Sequence, residues 1–163
     1  MENSGKKYQI DTEENKMFLG ELQKNLLNFG KGFLSPGGSA YFLGDDGTPW
    51  KDRNRETWIT CRMVHVYSMG IMLGDKESLA LVHGAVHGLL EELKDRENGG
   101  WYPGITPDNK FLPDKQCYAH AFVLLAASSA LLAGEKDAET LLKDALELFD
   151  KRFWDEKQGL TYD

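Results

Sequence analysis

Apolar residues recur every three or four positions in five stretches of the chain. This spacing predicts α-helices that each bury one face, because residues three and four apart lie on the same side of a helix. Glycine closes three of the stretches, as is common at helix C-termini. The predicted helices cover approximately residues 11–30, 56–73, 75–93, 114–133 and 137–153.

The predicted helix starts depend on acidic cap residues. Asp11, with Glu14 three residues later, resembles a capping box, and Asp75 and Asp114 are the expected N-caps of the third and fourth helices. In the Gly-rich and aromatic link after the first helix, Asp46-Gly47 indicates a short turn or hairpin. We therefore expect an all-α protein with ordered links between its helices.

The last two predicted helices differ in how they expose apolar residues. The fourth is apolar almost all round from Cys117 to Ala133, so other elements must cover it on every side. The fifth has apolar residues on one side only, which is typical of a helix on an outer surface. This contrast predicts one layer of inner helices and one of outer helices.

A unit of inner helix, glycine, outer helix and turn is repeated after 60 residues. Such a unit cannot bury its apolar faces alone, so the repeat predicts a solenoid or a closed ring. A third inner helix is expected after Asp163, where the sequence ends. The repeated features are Gly74 and Gly134, and the turns Asp95-x3-Gly99-x2-Tyr102 and Asp155-x3-Gly159-x2-Tyr162.

Composition and charge indicate which classes of binding partner are not expected. Hydrophobic residues make up 41% of the chain and charged residues 28%, as in ordinary globular proteins. The net charge is -7 and the acidic residues are dispersed, which argues against nucleic acid as a partner. The N-terminus has no apolar signal segment, and the run Ala119–Ala133 is shorter than the roughly 20 residues that cross a bilayer. Membrane partners are therefore not expected.

Cys61 and Cys117 are the two cysteines of the chain, and both lie inside helical patterns. Two separate cysteines of this kind are typical of core thiols, not of a disulfide framework or a zinc site. A reducing cytoplasm is the expected location.

Several motifs follow one another in a recognisable order. They are Trp58-Ile59-Thr60-Cys61-Arg62-Met63-Val64-His65-Val66-Tyr67, His83-Gly84, Gly99-Gly100-Trp101-Tyr102, Lys115-Gln116-Cys117-Tyr118 followed by His120, and Phe153-Trp154. Together they resemble the N-acylglucosamine 2-epimerase family, especially its sulfoquinovose and mannose isomerase branch. Their shared order is more specific than any single motif, and the resemblance spans nearly the whole chain.

The resemblance implies an incomplete (α/α)6 barrel, with residues 1–163 as the N-terminal part of one domain. It implies a monosaccharide substrate, no metal and no other cofactor. The family interconverts aldoses and ketoses, or epimerises at C2, through an enediol-like intermediate. Histidine suits such proton transfer because its pKa of about 6.5 lies near neutrality. The family's catalytic histidines lie in later helices, so we expect this short chain to lack them and to be inactive alone.

The resemblance also implies that Arg62, Tyr118 and Trp58 bind the substrate. Arginine offers a planar fork of donors to sugar oxygens or a sulfonate, and aromatic faces pack on sugar rings. Arg62 and Tyr118 both fall about a turn and a half inside the predicted starts of equivalent inner helices. We therefore expect them at similar heights, facing one cavity.

Structural roles compete with these assignments. Arg62 would alternatively form an interhelical salt bridge, and Tyr118 would be a core residue with a satisfied hydroxyl. His65 and His120, on the same helices, either line the pocket or bond neighbouring backbone. His83 alone, even with a second histidine four residues later, lacks the Glu or Cys partners of a metal site, so none is predicted.

Two other classes of function stay open. A glycoside hydrolase on the same barrel would need two separated carboxylates, and only Asp114 and Glu56 lie near inner-helix starts. A helical interaction module would instead use the apolar, open end of an unfinished barrel, with self-association as the expected outcome.

Overall fold

The structure is a computed structural model that describes residues 9–163. Five α-helices form the scaffold of this part, so the predicted all-α class and helix number are confirmed. A short 3₁₀ turn, Lys31–Phe33, follows the first helix. The helices are α1 (Glu13–Gly30), α2 (Thr57–Met72), α3 (Ser78–Glu91), α4 (Cys117–Leu132) and α5 (Ala138–Arg152).

Three antiparallel pairs of two-residue strands organise the links between the helices. They are β1 (Phe42–Leu43) with β2 (Pro49–Trp50), β3 (Arg55–Glu56) with β4 (Gly104–Ile105), and β5 (Trp154–Asp155) with β6 (Leu160–Thr161). The first pair closes the turn predicted at Asp46-Gly47. The second pair joins the segment immediately before α2 to the middle of the link between α3 and α4.

The helices form two layers. Helix α2 packs against α3 and α4, and α4 packs in turn against α5. Val64 of α2 and Val123 of α4 are fully buried in the shared core, and α5 adds Leu141 from its apolar side. Helix α4 is therefore inner and α5 outer, as the sequence predicted.

The helix faces at the two flanks of this arrangement are not covered by any described residue. We expected α4 to be buried on every side, but Leu125 and Leu132 are 39% and 78% exposed. The predicted apolar stripe of α1 is also exposed, with Leu26 at 62%. The exposed side of α4 is the flank that an unclosed barrel is expected to expose, whereas the burial expected for the α1 stripe is not observed, because no described helix packs on these faces. An apolar groove of about 290 Å³ lies between α1 and α2.

Three predicted N-caps are corrected by the structure. The cap of α1 is Thr12, whose hydroxyl accepts the Asn15 N–H at 3.2 Å, and not Asp11. The residue before α3 is Glu77, and Asp75 instead accepts a hydrogen bond from the hydroxyl of the first residue of that helix. Helix α4 begins three residues after Asp114, because the backbone before it is extended.

The repeated turns have the same backbone geometry. The N–H of Gly99 donates to the carbonyl of Asp95 at 2.9 Å, and that of Gly159 donates to Asp155 at 2.8 Å. Both glycines have a positive φ, 77° and 65°, which L side chains rarely adopt. The structure therefore confirms that the 60-residue sequence repeat is a structural repeat.

Cys61 and Cys117 are free and buried, as expected for core thiols. Burial raises the pKa of the Cys61 thiol well above its ordinary value. Within residues 9–163 no helix is long and apolar enough to cross a lipid bilayer.

Candidate functional site

Four aromatic side chains meet where α2 and α4 begin. The ring centroid of Trp58 lies 6.2 Å from that of Tyr118 and 6.4 Å from that of Phe122, and the last two lie 4.9 Å apart. Phe42 of β1 contacts the same indole at 6.1 Å. The rings are tilted or edge-on, which is the arrangement that aromatic pairs prefer. We call Trp58, Tyr118, Phe122 and Phe42 the aromatic cluster.

The guanidinium of Arg62 lies over the aromatic cluster. Its Cζ atom is 4.7 Å from the ring centroid of Trp58 and 5.0 Å from that of Phe122. Each contact is favourable by about 0.5–1 kcal/mol at an exposed site, because the face of an aromatic ring attracts a cation. The two rings therefore hold the guanidinium between α2 and α4.

The N–H donors of Arg62 are unpaired within the described part of the chain. Arg62 is exposed and makes neither a hydrogen bond nor an ion pair there, so the interhelical salt bridge considered as an alternative is not observed. A guanidinium has five N–H donors and no acceptor, and it matches pairs of ligand oxygens. The position suits an oxygen-rich ligand.

Tyr118 is not a core residue of the described chain. Its side chain is 50% exposed, and its hydroxyl has no hydrogen-bond partner among residues 9–163. The backbone N–H of Tyr118 donates to the carboxylate of Asp163 at 3.3 Å. The hydroxyl therefore remains available to a ligand beside the ring of Trp58.

The heights of Arg62 and Tyr118 differ from those predicted. Arg62 is the sixth residue of α2, whereas Tyr118 is the second residue of α4. The error arose because the predicted start of α4 was too early. The 60-residue offset instead relates Trp58 to Tyr118 and Arg62 to Phe122, so each helix contributes one residue to each of two levels.

Glu56 fixes the edge of the Trp58 ring. The indole Nε1–H of Trp58 donates to Oε2 of Glu56, which is the residue immediately before α2. Sequence reasoning missed this contact and also missed Phe122. The repeat offset from Arg62 was the signal that would have identified Phe122.

His65 is tied to the neighbouring inner helix. Its Nδ1 lies 2.7 Å from Oγ of Ser129, and that hydroxyl donates its own proton to the carbonyl of Leu125 at 2.8 Å. Nδ1 of His65 must therefore be the donor in this contact. The ring is half-buried against α4, and it lies nearly one helical turn after Arg62 along α2.

His120 lies between α4 and the preceding link, away from the aromatic cluster. It is 1% exposed, its Nε2 accepts the N–H of Trp101 at 3.1 Å, and its Nδ1 donates to the carbonyl of Gln116 at 2.7 Å. Both ring nitrogens are thus used, which corresponds to the backbone-bonding alternative and not to a pocket-lining role. Burial lowers the pKa of His120.

The ligand atoms of His83, Glu135 and Asp137 lie within 4.8 Å of one another on the surface of the described chain. Nδ1 of His83 is 3.2 Å from the carboxylate of Glu135. The sequence paired His83 with His87 and missed this arrangement, because Glu135 and Asp137 lie in the turn between α4 and α5, far away along the chain. Exposed acidic groups commonly cluster in this way, and the contact between His83 and Glu135 accounts for two of the three members.

The repeated helical hairpins define a class of fold, and solved structures share it. The match with the crystal structure of a D-mannose isomerase covers 91% of this chain and 40% of the isomerase, with a TM-score of 0.79 and 24% identity. The match with the cellobiose 2-epimerase from Spirochaeta thermophila DSM 6192 covers 93% of this chain and 41% of the epimerase, with a TM-score of 0.74 and 22% identity. At these identities the likeness shows the fold alone. The chain is an incomplete (α/α)6 barrel.

Sequence comparison identifies the family. The sequence profile of N-acylglucosamine 2-epimerase (GlcNAc 2-epimerase) matches residues 37–163. The D-mannose isomerase of Thermobifida fusca is 34% identical over 141 residues, and that of Pseudomonas cannabina pv. alisalensis is 37% identical over 136 residues; each alignment covers 83% of this chain. The chain belongs to the N-acylglucosamine 2-epimerase family. It spans about a third of these relatives, 34% and 32% of their lengths.

Proposed function

We propose that this chain forms the first wall of a monosaccharide pocket in an aldose–ketose isomerase or 2-epimerase. The observation that carries the proposal is Arg62, held between two aromatic rings with its donors unpaired in the described chain. The curated relatives at 34% and 37% identity are D-mannose isomerases, so a mannose-like sugar is the proposed substrate.

Each residue of the site has a distinct proposed role. Arg62 donates hydrogen bonds to sugar oxygens, or to the sulfonate of a sulfoquinovose-like substrate. Trp58 packs against an apolar face of the sugar ring, and Tyr118 offers its hydroxyl to a neighbouring oxygen. Phe122 supports the guanidinium from the second helix. Together these groups bind and orient the sugar.

The proposed reaction moves a proton next to the sugar carbonyl through an enediol, with histidine as the proton carrier. The structure supports no such role for His120, because both of its ring nitrogens are occupied and it is buried. Nδ1 of His65 donates to Ser129, so Nε2 is the one nitrogen of that ring left to accept a proton, and the turnover assay below tests it with His65→Gln. We therefore propose that residues 1–163 alone bind the sugar and do not convert it.

An NMR titration tests sugar binding directly. Mannose, glucose and sulfoquinovose are added to the ¹⁵N-labelled chain, and the indole signal of Trp58, assigned through Trp58→Phe, is followed. We expect mannose to shift this signal. Arg62→Ala should weaken binding about tenfold, because it removes hydrogen bonds from a charged donor.

Arg53→Ala is the matched control. Arg53 also lies over an indole, at 4.1 Å from the ring centroid of Trp50, but it is outside the aromatic cluster. Its substitution should leave the affinity unchanged. If Arg53→Ala weakens binding as much as Arg62→Ala does, or if none of the sugars shifts the Trp58 signal, the proposed pocket is wrong.

A turnover assay tests the second half of the proposal. The purified chain is incubated with each sugar, and aldose-to-ketose conversion and C2 epimerisation are followed by chromatography. No conversion is expected. Conversion that is abolished by His65→Gln would show that this chain carries its own proton carrier and would overturn the binding-only role.

The exposed apolar flanks support a further proposal, that copies of this chain associate. Leu26 on one flank and Leu132 on the other are 62% and 78% exposed, and solvent-exposed apolar patches favour association. Light scattering after size exclusion should give a mass that rises with concentration. A constant monomer mass would contradict this proposal without affecting the sugar site.

The glycoside hydrolase alternative has weaker support. It would need two carboxylates directed at the substrate, but the Glu56 carboxylate already accepts a hydrogen bond from Trp58. Asp114 is exposed and lies in the link before α4.

The cytoplasm remains the proposed location, because both cysteines are free and buried.

A further inference from the structure

Glu56 occupies a capping position but does not cap its helix. A side chain at this position commonly accepts an N–H bond from the first turn. The Glu56 side chain makes no such bond, and its carboxylate instead accepts the indole N–H of Trp58, two residues later. The carboxylate is therefore used to hold one aromatic ring.

The backbone of Glu56 is itself held firmly. It pairs with Gly104 in the β3–β4 ladder, and its carbonyl accepts the hydroxyl of Thr60 at 3.0 Å. A Cβ atom added at Gly104 would lie 3.1 Å from Cα of Glu56, which shows how closely the two strands approach. Glu56 is thus anchored before its side chain reaches the indole.

We propose that Glu56 is a positioning residue that fixes the Trp58 ring in the orientation on which Arg62 rests. The carboxylate holds the edge of the ring, and the guanidinium lies over the same ring, 4.7 Å from its centroid. Glu56 makes no ion pair with Arg62 in the described chain, so it leaves the arginine donors free. This inference rests on the proposed sugar pocket and names a residue that orients it.

The second repeat supplies a matched control position. Gln116 precedes α4 as Glu56 precedes α2, and Tyr118 follows it by two residues. The Gln116 side chain is exposed and makes no capping bond. A tyrosine ring has no N–H that could donate to a side chain at position 116, as the indole of Trp58 donates to Glu56. Gln116→Ala therefore changes the same place in the repeat without removing the inferred contact.

The experiment combines indole NMR with mannose titration on the full chain. Glu56→Ala should move the Trp58 indole proton upfield and weaken mannose binding about three- to tenfold, because a hydrogen bond to a charged acceptor is lost. Glu56→Gln keeps an acceptor oxygen and should retain most of the affinity. Gln116→Ala should leave both the signal and the affinity unchanged.

A double-mutant cycle separates positioning from a general structural effect. In the Trp58→Phe background the indole N–H is absent, so affinity is measured by isothermal titration calorimetry, and Glu56→Ala should cause no further loss of affinity. A further loss there of the same size would overturn the inference. An unchanged Trp58 signal in Glu56→Ala would overturn it as well. Equal losses in Glu56→Gln and Glu56→Ala with an unmoved indole would mean that Glu56 contacts the sugar itself.

The two proposals fail in different ways. If no sugar binds to the unaltered chain, the proposed pocket is wrong and the positioning role for binding falls with it, while the indole signal still reports whether Glu56 holds the ring. If mannose binds and Glu56→Ala binds it equally well, the pocket stands and the positioning role is wrong. Circular dichroism confirms that each variant is folded before it is compared.

Discussion

The first turns of α2 and α4 are fixed by different residues that make the same two hydrogen bonds. In α2 the hydroxyl of Thr60 donates to the carbonyl of Glu56 at 3.0 Å and accepts the N–H of Ala40 at 2.9 Å. The first bond reaches back four residues along the helix, and the second holds the preceding link. Thr60 thus joins the start of α2 to the segment that leads into it.

In α4 the same position, 60 residues later, is His120. Its Nδ1 donates to the carbonyl of Gln116 at 2.7 Å, again four residues back, and its Nε2 accepts the N–H of Trp101 at 3.1 Å. Both acceptor and donor belong to the backbone, as they do for Thr60. The comparison shows that His120 joins a link to a helix and has no ring nitrogen left for proton transfer.

The largest expected effect is the loss of stability when His120 or Thr60 is replaced, and it should be larger for the bulkier His120. His120→Ala should lower the free energy of unfolding by about 3–4 kcal/mol, because it leaves a cavity and unpaired buried groups. Thr60→Val is nearly isosteric and should cost about 2 kcal/mol, since it mainly leaves the Ala40 N–H without a partner. Urea denaturation measures both values.

His87→Ala is the control for this comparison. His87 is exposed on α3, so its substitution should change stability by less than about 0.5 kcal/mol. If His120→Ala costs no more than His87→Ala does, the joining role assigned to His120 is incorrect.

The sequence predicted the fold better than it predicted helix starts. The number of helices and the repeat follow from periodic burial, which many residues determine together. A cap depends on one local choice: Asp11 and Thr12 are both good caps, and only the structure shows that Thr12 is used. Gln116 before α4 is not a preferred cap residue, so the sequence favoured Asp114 instead.

The candidate site was predictable only in part. The resemblance named Arg62, Trp58 and Tyr118, and the structure brings all three to one aromatic cluster. Phe122 was missed because it lies in an almost wholly apolar helix, where periodicity does not distinguish a pocket face from a core face. The bond from Trp58 to Glu56 depends on side-chain rotamers, which the sequence does not specify.

A smaller difference is expected between the two repeated turns. Asp95 is 2% exposed, accepts the Asn98 N–H at 2.9 Å, and pairs with Lys115 at 2.6 Å. The hydrogen bond from Lys115 holds the pKa of Asp95 well below its usual range. Asp155 makes similar turn bonds but is half-exposed, and its side-chain partner is the Tyr162 hydroxyl at 2.8 Å.

Asp95→Asn should therefore lower the free energy of unfolding by about 1–2 kcal/mol, because it removes the charged partner of Lys115. Asp155→Asn should have a clearly smaller effect, since solvent replaces what is lost at an exposed site. Urea denaturation of the two variants tests this order. Equal losses would mean that burial does not distinguish the two copies of the turn.

The smallest expected difference is one of pH dependence, since the imidazole of His120 is titratable and the hydroxyl of Thr60 is not. Burial lowers the pKa of His120 in the folded chain below the unfolded value of 6.5. Below pH 6.5 the unfolded chain therefore binds a proton that the folded chain resists. The contribution of His120 to the free energy of unfolding is fully present above this pH and decreases as the pH is lowered through it.

His120→Gln keeps a donor and an acceptor but does not titrate. Its free energy of unfolding, measured above and below pH 6.5, should fall less on acidification than that of the unaltered chain. An equal fall in both proteins would assign the pH dependence to other groups and leave His120 equivalent to Thr60 in this respect.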